Sequence, residues 1–216
     1  DESDGSFLNL LPTIGVVTNI DPEHLDHYQG GLPQIVDAFV AFINKVPFYG
    51  VSVLCVDHPT IQSLLPRVEK RFITYGFSAQ ADYSAEQVET FRDAMAFDVR
   101  AFGKSIGRIR LPMIGRHNLL NTLAAMAVSD EVGVSFSKAK EALEQFAGIA
   151  RRFEIKGEVD SVLIADDYGH HPAEIKATLD AARASHSRRL VVVFQPHRYT
   201  RTRDLLSEFQ HAFHSC

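Results

Sequence analysis

Cysteine is scarce in this chain of 216 residues: Cys55 lies inside an apolar run and Cys216 is the last residue. Neither has the spacing of a disulfide framework or of a metal-ligand pair, which suits a reducing, cytosolic setting. Long apolar runs are missing too. No stretch approaches the eighteen or so residues of a membrane span, and no segment has the charged, apolar and small-residue order of a signal peptide. There is no internal repeat, no low-complexity tract and no GxxxxGK[ST] loop, so phosphate binding cannot be claimed from a phosphate-loop motif. A positive balance is also lacking. The formal charge is -5 and the pI about 6.1, which argues against nucleic acid as the main partner. With 45% hydrophobic and 23% charged residues the composition is that of an ordinary globular protein with a sizeable core.

The chain opens on Asp rather than Met, and its last helical pattern stops at Cys216 without a cap. Both features read as an excised piece of a longer protein.

What is present is organised around Asp166-Asp167-Tyr168-Gly169-His170-His171-Pro172. This polar stretch follows the apolar run Val162-Leu163-Ile164-Ala165 and precedes a helical pattern from about Ala173, so it reads as strand, tight turn and helix start. A second unit repeats the order. Leu190-Val191-Val192-Val193-Phe194 leads into Gln195-Pro196-His197-Arg198-Tyr199-Thr200-Arg201-Thr202-Arg203, and a helix is expected from Asp204 to Phe213. Two consecutive units of this kind predict neighbouring parallel strands, with the basic turn beside the acidic, His-rich one at the carboxyl edge of the sheet, where open α/β folds bind ligands.

Upstream, Ile14 to Ile20 reads as a buried strand that ends in Asp21-Pro22-Glu23-His24-Leu25-Asp26-His27, three carboxylates and two imidazoles in seven residues. Such a set suits either metal or phosphate chemistry or a solvated, capping loop. A helix over 32–46, a strand over 51–56, a short helix over 61–68 and a strand over 71–77 continue a βαβ rhythm, with His58 in a loop. Short alternating runs from Ala81 to Leu111, with Gly103 and Gly107 between them, predict antiparallel hairpins on the flank. Gly115-Arg116-His117-Asn118 opens a helix over 119–132 whose stripe is Leu120, Leu123, Ala124, Ala127 and Val128. Asn118 and Asn121 share a face of its first turn; Asn118 reads first as a helix cap, and paired amides also suit a purine edge. After a helix over 137–146, Gly148 to Phe153 reads as a joint between domains, giving a division at about residue 150.

These blocks together resemble the Mur ligase family. The resemblance rests on Asp1-Glu2-Ser3-Asp4, Thr18-Asn19-Ile20 with Glu23-His24, Gly115-Arg116-His117-Asn118 with Asn121, Arg151-Arg152-Phe153, and the two turns at 166–172 and 195–203. It implies an α/β fold: the mostly parallel sheet of a central ATP-binding domain with an antiparallel flank over 1–150, then the start of a Rossmann-like amino-acid-binding domain over 151–216. The phosphate loop would precede Asp1 and the last strands would follow Cys216, so this piece alone is not expected to turn over and should expose apolar surface on its sheet.

The resemblance further implies an ATP- and Mg2+-dependent ligase of bacterial peptidoglycan synthesis, acting in the cytoplasm on small molecules, without membrane or nucleic-acid partners. The two turns are similar to those of members that join L-alanine to the carboxylate of UDP-N-acetylmuramate through an acyl phosphate. By resemblance His24 would ligate Mg2+, Asn118 and Asn121 would contact adenine, Asp167 the ribose and Arg152 the phosphates. Tyr168, His170, Arg198 and Arg201 would receive the amino acid and the acyl phosphate, while Asp166, His171 and Arg203 stand behind them. Two other readings stay open. One is a metal-dependent phosphohydrolase built on Asp21, Glu23, His24, Asp26, His27, Asp166, Asp167 and His170. The other is a non-catalytic module derived from a ligase.

Overall fold

The structure, a computed structural model, describes residues 4–21 and 28–216. Its larger sheet has six strands in sequence order: β1 Ile14–Val17, β2 Val51–Cys55, β3 Phe72–Gly76, β4 Tyr83–Thr90, β5 Met95–Ala101 and β6 Lys104–Leu111. The pairs β1–β2, β2–β3 and β3–β4 are parallel. Every residue of β2 is buried, as a central strand of a parallel sheet covered on both faces requires. Its one polar side chain, Ser52, donates its hydroxyl to the Ile43 carbonyl at 3.5 Å. Between β5 and β6 only Phe102 and Gly103 intervene, with φ of 48° and 77°. Two positive φ values in a two-residue loop make a type I′ turn, so this pair is an antiparallel hairpin as the alternating runs predict. Gly107, expected between runs, lies inside β6.

Two helices follow the first strands: α1 Gly31–Ile43, which buries Ile35, Ala38, Val40 and Ile43, and α2 Pro59–Leu64. His58 caps α2 as the extended residue before Pro59, and its Nε2 lies 3.4 Å from Asp21 Oδ1. The helix expected from residue 119 begins earlier, as α3 Arg116–Glu131, and is followed by α4 Phe136–Glu144. Leu119, Leu123, Met126 and Ala127 are fully or almost fully buried, so the core face of α3 includes Leu119 and Met126 where the periodicity put Leu120 and Val128.

Beyond α4 the chain forms a two-stranded antiparallel sheet, β7 Glu154–Val159 and β8 Val162–Asp166. The segment read as a joint thus leads directly into a strand that its charged residues disguise. Helices α5 Pro172–Ser185, α6 Tyr199–Asp204 and α7 Leu206–Ala212 complete the chain. The helix expected over 204–213 is broken at Leu205, whose φ and ψ of -112° and 26° leave the helical region.

Leu190 to Phe194 is not a strand, and the expected parallel partner of β8 does not form among the described residues. The segment keeps a strand's alternation without its ladder. Leu190, Val192 and Phe194 pack on a cluster of Ile175, Leu179, Phe209 and Ala212, while Val191 and Val193 are 69% and 98% exposed. Burial of one face fixes its direction; extended backbone becomes a sheet only when a neighbour accepts its hydrogen bonds.

The chain divides into two compact units, residues 1–87, 98–108 and 120–140, and residues 88–97, 109–119 and 141–216. No helix among the described residues is long and apolar enough to cross a membrane.

Candidate functional site

Within the second unit, three separated stretches supply one polar patch: 115–118 at the start of α3, 151–153 before β7, and 166–174 from β8 into α5. Each is shaped by local chemistry. Gly115 has a φ of 100°, and a Cβ there would come within 2.7 Å of His117 Cε1 and 3.2 Å of Ala181 Cβ. Only glycine fits that bend without a shift of its neighbours. Asn118, read first as a helix cap, is not one. It lies inside the first turn of α3, and its Nδ2 donates to the Ile114 carbonyl at 2.7 Å. Asn121 is one turn further along the same helix and is exposed.

The carboxylate of Asp167 organises the strand-to-helix turn. Its Oδ2 accepts from the Phe153 backbone N–H at 2.8 Å and its Oδ1 from the Gly169 N–H at 2.7 Å. It is therefore not the cap of α5. That position belongs to His171, whose Nδ1 accepts from the Ala173 N–H at 3.3 Å. Glu174 completes a capping box and does more than the motif demands. Its Oε2 accepts from the N–H groups of both His170, at 3.0 Å, and His171, at 3.2 Å.

The two arginines before β7 face this turn. Arg151 Nε lies 3.6 Å from Asp166 Oδ2, and its guanidinium stacks 4.6 Å over the Tyr168 ring, while the Tyr168 N–H donates to the Arg151 carbonyl at 2.7 Å. Arg152 Nη1 lies 3.6 Å from Glu174 Oε1. Burial would raise the Glu174 pKa, but the amides of His170 and His171 and the charges of His170 and Arg152 outweigh it and hold the carboxyl below its usual range. His117 feels the same group of charges. Loss of solvent pushes its pKa down, Asp167 and Glu174 pull it up, Arg152 pushes it down, and the net direction is down.

The basic turn reaches the acidic one through histidine. The rings of His170 and His197 are 6.3 Å apart and edge-on, and the rings of Tyr168 and His170 are 5.1 Å apart. His170 Nδ1 lies 3.0 Å from the Tyr168 carbonyl. Arg198 has a φ of 68°, a strained value for a non-glycine residue, and it starts α6 with its carbonyl accepting from the Thr202 hydroxyl. Arg201 Nη1 is buried with no hydrogen-bond partner among the described residues. Arg203, by contrast, turns to its neighbour Asp204 at 2.6 Å.

Thus the patch unites Arg152, Asp167, Tyr168 and His170, while Asn118 bonds locally to Ile114. His24 and its neighbours Pro22 to His27 lie outside the described residues. Glu174 and His117 were missed in the sequence reading. A glutamate two residues after a His-Pro pair is a legible capping signal for Glu174, whereas nothing local to His117 announces the charges it meets.

The Mur ligase middle domain matches residues 2–129, and the Mur ligase glutamate ligase domain matches residues 151–216. The UDP-N-acetylmuramate–L-alanine ligase of Anaeromyxobacter dehalogenans is 56% identical over 214 residues, 99% of this chain and 46% of that protein. The ligase of the same name from Myxococcus xanthus is 52% identical over 213 residues, 99% of this chain and 45% of that protein. Among solved structures, the UDP-N-acetylmuramate–alanine ligase of Thermotoga maritima aligns with a TM-score of 0.81 at 28% identity, covering 100% of this chain and 47% of that one. MurF of Acinetobacter baumannii shares the fold with a TM-score of 0.74 at 22% identity, over 85% of this chain and 40% of that one. The chain spans about half the length of the curated relatives it matches. With a domain match over more than half of its residues, the chain belongs to the Mur ligase family.

Proposed function

We propose that the protein carrying this chain is an ATP-dependent ligase that joins L-alanine to the carboxylate of UDP-N-acetylmuramate in bacterial peptidoglycan synthesis. The observation that carries the reading is the meeting of three separated blocks: the Phe153 backbone N–H donates to Asp167 at 2.8 Å, Arg152 lies 3.6 Å from Glu174, and Gly115 closes against Ala181 of α5. The high identity to ligases of this name supplies the substrates. We also place the domain division at about residue 150 and the reaction in the cytoplasm.

The reaction runs in two steps. A carboxylate oxygen of the sugar nucleotide attacks the γ-phosphorus of ATP and ADP leaves; the amine of L-alanine then attacks the acyl carbon and phosphate departs with that oxygen. Negative charge accumulates in both steps, so fixed cations and in-line positioning are what the site must supply. Asp167 suits the ribose: each of its oxygens takes one backbone N–H and retains a lone pair for a hydroxyl. The bond from Asn118 to Ile114 fixes the plane of an amide suited to adenine, with Asn121 one turn on. Arg152, held loosely at 3.6 Å from Glu174, can turn to a phosphate. The unpaired nitrogen of Arg201 suits an oxyanion, and Arg198, Tyr168 and His170 complete the receiving surface for the amino acid. Mg2+ would supply charge neutralisation at the phosphates, with His24 as its assigned ligand.

The phosphohydrolase alternative has no comparable support. Asp166 turns to Arg151 and His170 to the Tyr168 carbonyl, and among the described residues no three His, Cys, Asp or Glu side chains group as metal ligands. Phosphate release by the full-length protein tests the choice. The ligase reading predicts release from ATP only when both L-alanine and UDP-N-acetylmuramate are present. Release from a simple phosphate ester without ATP would contradict it.

A further inference from the structure

We propose that Glu174 is the positioning residue of the amino-acid side of the site, holding the turn from Tyr168 to His171 in its receiving form. The inference rests on the ligase reading for what the turn receives, and on geometry for how the turn is held. In an ordinary capping box the third helical residue accepts one N–H, that of the cap. Here one oxygen of Glu174 accepts two consecutive amides, those of His170 and His171, at 3.0 and 3.2 Å. Two adjacent amides converging on one oxygen fix the peptide planes on both sides of the His170 Cα, and so the direction of its side chain.

The ring is then oriented from the other side as well. His170 Nδ1 sits 3.0 Å from the Tyr168 carbonyl and 3.6 Å from Glu174 Oε2. A proton on Nδ1 serves both acceptors and leaves Nε2 as the ring's free pole, with the His197 ring 6.3 Å away between centroids. Glu174 does not itself need to touch substrate. Its second oxygen faces Arg152 at 3.6 Å, so the same side chain spans the turn and the arginine before β7. An incoming amine must meet its acyl carbon within a narrow distance and angle, and a turn displaced by about 1 Å forfeits much of the rate.

The test uses the full-length protein with Glu174→Ala, Glu174→Gln and Glu174→Asp. Glutamine keeps an acceptor oxygen at the same reach; aspartate, one methylene shorter, does not reach both amides. We expect Glu174→Ala and Glu174→Asp to raise KM for L-alanine about tenfold while KM for ATP changes less than about twofold, and Glu174→Gln to restore the alanine value to within about threefold. Amide hydrogen exchange at His170 and His171 should quicken about tenfold in the alanine and aspartate variants and stay near the parent rate in the glutamine variant. Unchanged alanine KM in Glu174→Ala, parallel losses for ATP and alanine that track the folded fraction, or a glutamine variant as impaired as alanine would each overturn the proposal. Should Glu174→Ala fail to fold, the aspartate and glutamine variants carry the comparison. Should the parent protein not ligate L-alanine at all, the ligase reading fails, and the exchange rates still decide whether Glu174 holds the turn.

Discussion

The Asp167 carboxylate accepts the Phe153 backbone N–H at 2.8 Å, across 14 residues of sequence, and so ties the start of β7 to the turn that leaves β8. Its other oxygen accepts the Gly169 N–H. Asp167→Ala strands both donors and should cost about 2 kcal/mol, whereas Asp167→Asn, which keeps one acceptor oxygen, should cost about 1 kcal/mol. Urea unfolding of the two variants checks the order, and equal stability of the alanine variant and the parent would show that water replaces the carboxylate freely.

Gly115→Ala meets two obstacles at once, a φ of 100° and a Cβ that would press on His117 and Ala181. Relief requires movement of the His117 ring or of α5. A loss of about 1–3 kcal/mol is expected, together with altered chemical shifts of the His117 ring. A neutral substitution would mean that the bend is not needed.

Stability should fall on acidification in two stages. His117 has a folded pKa below its ordinary 6.5, so the unfolded chain binds a proton that the folded chain refuses. Its contribution is intact above about pH 6.5 and erodes as the pH drops towards the lower folded value. Glu174, depressed from 4.5, adds a second loss as the pH falls below that value. Unfolding midpoints measured from about pH 8 to about pH 4 should show both stages, and His117→Asn should remove the first alone. Persistence of the first stage in that variant would assign it to another group.

Two substitutions distinguish core from surface. Leu123 is completely buried on α3, and Leu123→Ala should cost about 2–5 kcal/mol through lost transfer energy and a residual cavity. Arg71 makes a two-pronged pair with Glu131 at 2.6 and 2.8 Å, but its side chain is half exposed. Its removal should cost no more than about 1 kcal/mol. Thermal unfolding of both variants checks the ranking.

Much of the fold was legible because its signals are local. The β-branched run of β2, the glycine of the β5–β6 turn and the Pro172 start of α5 each carry their own physics. What was missed depends on partners. β7 is hidden by Glu154, Lys156 and Glu158, whose alternation with Ile155 and Val159 is clear only once β8 lies beside it. Leu190 to Phe194 has the composition of a strand, yet the ladder that defines one needs a neighbour. The site shows the same divide. Asp167 and His170 stood out by their place at a strand end, while Glu174 carries a local capping signal, His117 matters through residues far away in sequence, and Asn118 looked like a cap because its carbonyl partner, Ile114, lies on the other side of the helix start.

The most direct test of the proposed reaction is an isotope transfer in the full-length protein. UDP-N-acetylmuramate labelled with 18O in its carboxylate is incubated with ATP, Mg2+ and L-alanine, and the released inorganic phosphate is examined by mass spectrometry. Attack by the carboxylate on the γ-phosphorus moves one labelled oxygen into the phosphate, so the account predicts one 18O per phosphate released. Unlabelled phosphate accompanying product formation would contradict it.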